Sequence, residues 1–186
     1  IFSLLSPNRY PNLLPYQMWI RSQANAVRQK VQVLPIYLVR QYLASNLYDR
    51  MLTRPFLTET EKMWMIFQLF YCVEIAHGNG VVHGDIKPDN VLCTSWNFLI
   101  LTDFAPHKPV NIPNDDPTDF QYFFDGSGRR SCYVAPERFT SRESLDRRAR
   151  AREPGPGLTE AMDVFSLACT IAEVFLDSKT ALLDLP

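Results

Sequence analysis

Glycine is scarce in this chain, seven in 186 residues, and no G-x-G-x-x-G occurs among them. That absence removes one recurrent backbone cradle for nucleotide phosphates. Four cysteines, Cys72, Cys93, Cys132 and Cys169, lie far apart without a C-x-x-C pair, which argues against a zinc site or a disulfide framework and fits a reducing compartment. No signal-peptide pattern and no run of about 18 apolar residues is found, so the visible chain is expected to be soluble. Charge of neither sign dominates: 19 Lys and Arg stand against 20 Asp and Glu, a net charge of −1, which implies no general attraction to nucleic acid or to a membrane surface. What remains is 46% hydrophobic and 21% charged, the composition of an ordinary globular domain long enough for a core.

Eight residues stand out against that background. His83-Gly84-Asp85-Ile86-Lys87-Pro88-Asp89-Asn90 nearly reproduces the H-R-D-L-x-x-x-N catalytic loop of protein kinases, with glycine in the arginine's place. Asp103-Phe104-Ala105, eighteen residues after Asp85, is a D-F-G with its glycine replaced, and Ala135-Pro136-Glu137 supplies the A-P-E that closes an activation segment. Phosphoryl transfer needs a group to accept the proton of an attacking hydroxyl, and cations to neutralise charge spread over the transferred phosphate. Asp85 suits the first task, and Lys87 would face the same cleft as a cation. Asn90 and Asp103 offer the hard oxygens that Mg²⁺ prefers. Taken singly, each residue could equally cap a turn; the ordered set points to a metal-nucleotide site.

The departures from the pattern carry information too. Gly84 removes the cation that in many kinases pairs with a phosphorylated activation loop, so control of that kind is expected to be absent. Ala105 restricts a position where glycine would permit φ > 0. His83 is expected to hydrogen-bond backbone rather than act as a base, and His77 and His107 read as surface or packing histidines. Arg130 takes the place of the threonine in the G-T-x-x-Y that often precedes A-P-E. The Arg129-Arg130 pair reads as a solvated loop or as a docking patch for an acidic partner.

Along the chain, Tyr10-Pro11-Asn12-Leu13-Leu14 resembles the turn before the fourth strand of a kinase small lobe, with Tyr16 to Arg21 as that strand. Residues 22 to 32 are polar and give no pattern, and Leu34 to Val39 reads as another short strand. A short helix is expected over 46–51. A longer one opens at Thr58-Glu59-Thr60-Glu61 as a capping box and carries Met65, Leu69, Val73 and Ala76 as an apolar stripe. Val91 to Thr94 and Phe98 to Leu101 form a strand pair, residues 141–157 a loop with a partly helical start, and Thr159 to Leu176 a last apolar helix. The fold expected is α+β: a two-lobed protein-kinase-like domain with a partial small lobe and hinge over 1–43 and a mainly helical large lobe over 44–186, truncated at its C-terminal end. Lys30 follows the fourth-strand signal, whereas a phosphate-binding lysine would precede it.

Gln41-Tyr42-Leu43 falls where the hinge would lie. Backbone groups of Gln41 and Leu43 would then face the nucleotide base, Leu92 would pack beneath it, and Arg40 would hold the gatekeeper place. Adenine presents an amino donor near that wall, whereas guanine presents the O6 acceptor that an arginine fork can satisfy. The expected cofactors are therefore Mg²⁺ and ATP, with GTP as the alternative that Arg40 raises.

Thr94-Ser95-Trp96-Asn97, Leu101-Thr102-Asp103-Phe104-Ala105, Asp119-Phe120-Gln121-Tyr122-Phe123-Phe124-Asp125 and the run from Arg129 to Phe139 add a narrower signal. With His83-Gly84-Asp85-Ile86-Lys87 they resemble the protein-kinase-like regulatory subunits of class III phosphatidylinositol 3-kinase complexes. The match runs from about residue 40 to 139. The resemblance implies a serine/threonine kinase or a catalytically weak nucleotide-binding scaffold, with Asp85, Lys87, Asn90 and Asp103 at functional positions. It also implies a class III phosphatidylinositol 3-kinase catalytic subunit and a Beclin-type subunit as partners. A cytoplasmic protein is implied, held peripherally on endosomal and autophagic membranes and assisted by an N-terminal myristoyl anchor ahead of this segment.

Overall fold

A computed structural model describes residues 4–21, 26–28, 31–33, 36–126, 128, 131–153 and 155–176. The N-terminal turn ends in β1 (Leu13–Leu14), and β2 (Met18–Arg21) runs antiparallel to β5 (Ile36–Val39), with Met18 opposite Val39. Between them β3 (Ala26–Arg28) and β4 (Val31–Val33) pair as a hairpin. The polarity of residues 22–32 hid that hairpin from the sequence pattern, because strands of three residues are too short to set up an alternation. Lys30 lies outside the described residues.

Helix α1 (Leu47–Leu52) begins at Asn46, whose side chain accepts from the Asp49 amide while Asp49 reaches back. Helix α2 (Glu59–Gly78) opens on the expected capping box of Thr58 and Glu61, and each such cap satisfies amides that have no partner within the helix. Met65, Leu69, Val73 and Ala76 are all buried, so the apolar stripe faces the core. Asn79 closes the helix and Gly80, at φ 69°, turns the chain toward the catalytic loop, a conformation that costs a glycine little.

Strands β6 (Val91–Cys93) and β7 (Leu99–Thr102) are antiparallel, with Val91 opposite Leu101, and Asn97 makes their turn at φ 57°. Strand β1 adds to the other edge of β7 in parallel. Residues 5–14, read from the sequence as small lobe, thus bind the large one: Leu5 and Leu13 are fully buried in the same core as Leu69, Val91 and Leu101. Asn12 fastens the junction, donating to Leu99 O at 2.8 Å and Gln68 Oε1 at 3.3 Å.

The activation segment is folded. Strand β8 (Ile112–Pro113), helix α3 (Pro117–Phe123) and strand β9 (Phe139–Thr140) close a second small core of Ile112, Phe120, Phe124, Cys132 and Val134. Next comes α4 (Arg142–Ala151), with Ser141 as N-cap and Arg152 in the left-handed region at φ 54°. The expected loop with a partly helical start over 141–157 is therefore corrected to a helix of three turns. Its arginines are good helix formers whatever their charge, and Arg147 pairs with Glu143 one turn away. Helix α5 (Glu160–Phe175) completes the core with Leu167 and Val174.

All four cysteines are buried free thiols, and burial pushes Cys72 up to about 12 and Cys93 and Cys169 to about 11. They pack as small hydrophobes. Among the described residues no helix is long and apolar enough to cross a membrane.

Helix α2 separates its two faces sharply, with Leu69 fully buried and Met63 59% exposed. Leu69→Ala should therefore cost about 2–5 kcal/mol of unfolding free energy and Met63→Ala less than about 0.5 kcal/mol, as read by chemical denaturation.

Candidate active site

Three backbone units, His83 to Asp85, have every polar group accounted for. The His83 and Gly84 amides donate to the two carboxylate oxygens of Asp163 on α5, at 2.6 and 2.8 Å. The Asp85 amide donates to His83 Nδ1 at 3.1 Å. On the acceptor side, His83 O takes the Ala105 amide (2.9 Å), Gly84 O takes Arg138 Nη1 (2.8 Å) and Asp85 O takes Asn90 Nδ2 (2.7 Å). A loop so fully paired and buried is held in one conformation.

His83 serves this framework. Its Nε2 meets Thr102 O at 2.8 Å, so with Nδ1 accepting from Asp85 the ring is neutral and protonated on Nε2. Burial holds its pKa below the ordinary histidine value, and the ring lies 4.5 Å from that of Phe104. His77, read as a surface or packing histidine, also has a polar partner: its Nε2 is 2.9 Å from Asp163 Oδ2. Its 86-residue separation from Asp163 concealed the contact.

Gly84 sits at φ 81°, and a Cβ there would fall 2.8 Å from Leu158 Cδ1. Glycine at this point suits the backbone as well as removing a cation. The Gly84 carbonyl is met by Arg138, which is 1% exposed and donates to Gly84 O, Pro109 O (2.8 Å) and Val110 O (2.9 Å) while its guanidinium lies 4.8 Å from the Phe124 ring centre. The arginine follows the A-P-E directly, and nothing in its sequence neighbourhood announces this role.

Asp85 and Asp103, the two carboxylates singled out by the motifs, both meet internal cations. Asp85 is 5% exposed; its Oδ2 accepts from Asn90 Nδ2 at 2.8 Å and from Lys108 Nζ at 2.6 Å, with Lys87 Nζ 3.8 Å away. Lys87 itself donates to Phe124 O at 2.6 Å. Asp103, at φ 59°, takes both arms of the Arg40 fork, Nε to Oδ1 at 2.9 Å and Nη2 to Oδ2 at 3.0 Å. That hydrogen bonding raises the Arg40 pKa. Tyr16 joins from the stretch before β2: burial, then the Asp103 charge and a hydrogen bond to it, push its phenol up to about 12, so it remains a donor.

Of the sequence-assigned residues, Asp85, Lys87 and Asn90 are brought together and Arg40 grips Asp103, while Gln41 and Leu43 follow Arg40 along the chain and Leu92 lies on β6. Arg40 does not stand free to read a base, because its remaining nitrogen Nη1 is on Gln41 O at 3.2 Å. The chain just beyond the expected hinge lies alongside β6: Ser45 O accepts the Cys93 amide at 3.0 Å, Asn46 bridges Leu92, and Leu92 is 5% exposed. Gln41 is tied by its amide to Gln17 Oε1 at 3.0 Å, and Leu43 lines a shallow hollow with Arg50, Cys93 and Thr94. Arg129 and Arg130 lie outside the described residues. Tyr16, Lys108, Arg138 and Asp163 were not recognised from the sequence as site residues, since each reaches the cleft only through the fold.

A buried loop bearing an aspartate, an asparagine five residues on, and a second carboxylate after an antiparallel strand pair form the phosphotransfer cleft of a protein kinase. Comparison with known families agrees: the protein kinase domain matches residues 23–181, and the chain belongs to that family, whose members generally use ATP and Mg²⁺. More narrowly, the chain is similar to the serine/threonine-protein kinase VPS15 of Arabidopsis thaliana, at 46% identity over 91% of this chain and 10% of that protein. It is 46% identical to the Schizosaccharomyces pombe vps15 kinase over 92% of the chain and 9% of that protein, and 47% identical to the probable vps15 kinase of Dictyostelium discoideum over 89% and 8%. The resemblance carried by the motifs is therefore upheld as a VPS15-type kinase domain, and the chain spans about a tenth of the length of these relatives.

Two outcomes test the loop. Gly84→Ala places a side chain at φ 81° against Leu158 and should lower the unfolding free energy by about 1–3 kcal/mol, read by urea titration. His83 is neutral in the fold and titrates near 6.5 when unfolded. Below that value the unfolded chain binds more protons, so the urea midpoint should fall as pH drops from about 7.5 to 5.5. His83→Asn should make the decline shallower.

Proposed function

We propose that this chain binds a Mg²⁺-nucleoside triphosphate and transfers its terminal phosphoryl group to serine or threonine, as the kinase domain of a class III phosphatidylinositol 3-kinase regulatory subunit. The observation that carries the enzymatic reading is the Asp85 carboxylate, presented on a stretch, His83 to Asp85, whose backbone groups are all paired. In the reaction the substrate hydroxyl oxygen bonds to the terminal phosphorus, the bond to the bridging oxygen breaks, Asp85 accepts the hydroxyl proton, and the diphosphate leaves.

The residues present suit magnesium. Asn90 points its amide nitrogen at Asp85, which leaves its oxygen as a hard donor, and Asp103 supplies a carboxylate. A set of one or two such groups is what Mg²⁺ takes when phosphates and waters complete its shell. Bound there, the ion would neutralise phosphate charge. Arg40 would have to yield Asp103 to it. Backbone groups of Gln41 and Leu43 would meet the base, with Leu92 beneath, and GTP would be read by Arg40 only if its fork left Asp103.

The same ion pairs support a second reading. With Asp85 held by Lys108 and Asp103 by Arg40, the domain suits a nucleotide-gated scaffold that transfers phosphate slowly. In either case the resemblance to the VPS15 kinases supports partners of the kind named above, a class III catalytic subunit and a Beclin-type subunit, and a peripheral place on endosomal and autophagic membranes.

In the full-length protein Asp85→Asn should reduce phosphate incorporation about 10²-fold or more while Mg²⁺-nucleotide still binds. Unchanged incorporation would remove Asp85 from the chemistry. If no incorporation is measurable in the wild type, and Asp103→Ala weakens recruitment or activation of the lipid kinase, the scaffold reading holds instead.

A further inference from the structure

Two ammonium groups stand at the catalytic aspartate, where the motif calls for one. Lys87, the motif's lysine, is turned toward the activation segment and donates to Phe124 O at 2.6 Å, leaving it 3.8 Å from Asp85 Oδ2. Lys108 holds the nearer position, 2.6 Å from that oxygen and 5.1 Å from the centre of the Phe124 ring. One carboxylate charge therefore faces two ammonium charges, in a cleft where charges interact more strongly than in bulk water. The surplus positive charge suits an incoming anion.

Lys108 is also carried on a firm support. Its amide donates to Ala105 O at 3.1 Å, and the Ala105 amide to His83 O at 2.9 Å. The carbonyls of the next two residues, Pro109 and Val110, are held by buried Arg138. The backbone is pinned on both sides, yet the side chain keeps 18% exposure. The ammonium can exchange one oxygen ligand for another without moving the loop. Of the other lysines among the described residues, Lys62 pairs with Glu59 on α2 and Lys87 is committed as above.

We propose that Lys108 is a ligand of the nucleotide's terminal phosphate. In the nucleotide-free chain its ammonium rests on Asp85 Oδ2, the oxygen that would accept the substrate hydroxyl. With triphosphate present the ammonium moves to a terminal phosphate oxygen and Oδ2 is released for the hydroxyl. Acceptance of substrate thus depends on the phosphate to be transferred. The inference rests on the nucleotide-binding reading above and adds to it a residue outside the motifs.

The test is equilibrium titration of the full-length protein with the Mg²⁺ complexes of ATP and ADP. Lys108→Met should weaken ATP by about tenfold or more and leave ADP within about twofold, and Lys108→Arg should retain most of the ATP affinity. Retained ADP binding shows that the Met variant is folded. Equal losses for both nucleotides would mark Lys108 as structural, and unchanged or tighter ATP binding would mark its ammonium as only a plug on Asp85; each overturns the assignment. A wild-type protein that binds neither nucleotide would overturn the nucleotide reading, and this assignment with it.

Discussion

One buried carboxylate organises the site. Asp163, 1% exposed, offers its two oxygens to the consecutive amides of His83 and Gly84 and shares one with His77. Charge-assisted hydrogen bonds of this kind are the strong ones, and an unpaired buried donor would carry a desolvation penalty. The catalytic loop is consequently docked on α5, and α5 is packed on α2 through the common core. The groups that meet the loop take their positions relative to that docking. His83 can face Thr102, Arg138 can reach Gly84 O, and Asp85 is presented on a backbone with no free polar group.

A second constraint is charge balance. Asp85 and Asp103 are carboxylates in a partly desolvated cleft, where unpaired charge is costly. The fold meets each with a cation from elsewhere in the chain, Lys108 for Asp85 and Arg40 for Asp103, and Tyr16 adds a donor. Each of the two carboxylates is therefore paired before any ligand enters. On the proposed reading, nucleotide and metal would enter by exchanging partners with these groups, a different starting point from an open array of acidic side chains. Arg138 plays a complementary part, tying the backbone of Gly84 to that of Pro109 and Val110.

Legibility from the sequence followed the range of the interactions. Thr58 and Glu61, the stripe from Met65 to Ala76 and the β6–β7 pair were all readable because caps, helical period and strand alternation act within a few residues. The hairpin strands at 26–28 and 31–33 and the helix at 142–151 were not: strands of three residues are too short to set up an alternation, and α4 buries none of its residues, so no apolar stripe marks it. Leu5 and Leu13 were read with the small lobe because chain order suggested it, whereas parallel pairing of β1 with β7 places them in the large lobe's core.

Order and spacing of chemical groups were within the sequence's reach. The run from His83 to Asn90, then Asp103-Phe104-Ala105, then Ala135-Pro136-Glu137, determined that the chain is kinase-like and which carboxylates belong to its cleft, because those residues act from one short loop or from adjacent strands. Which charge faces which was decided only by tertiary structure. Arg40 is 63 residues from Asp103, Asp163 is 80 from His83 and Arg138 is 54 from Gly84. Such pairings have no local signal, since side chains of long reach choose partners only after helices and strands have packed, and Coulomb energy depends on distance in space rather than along the chain.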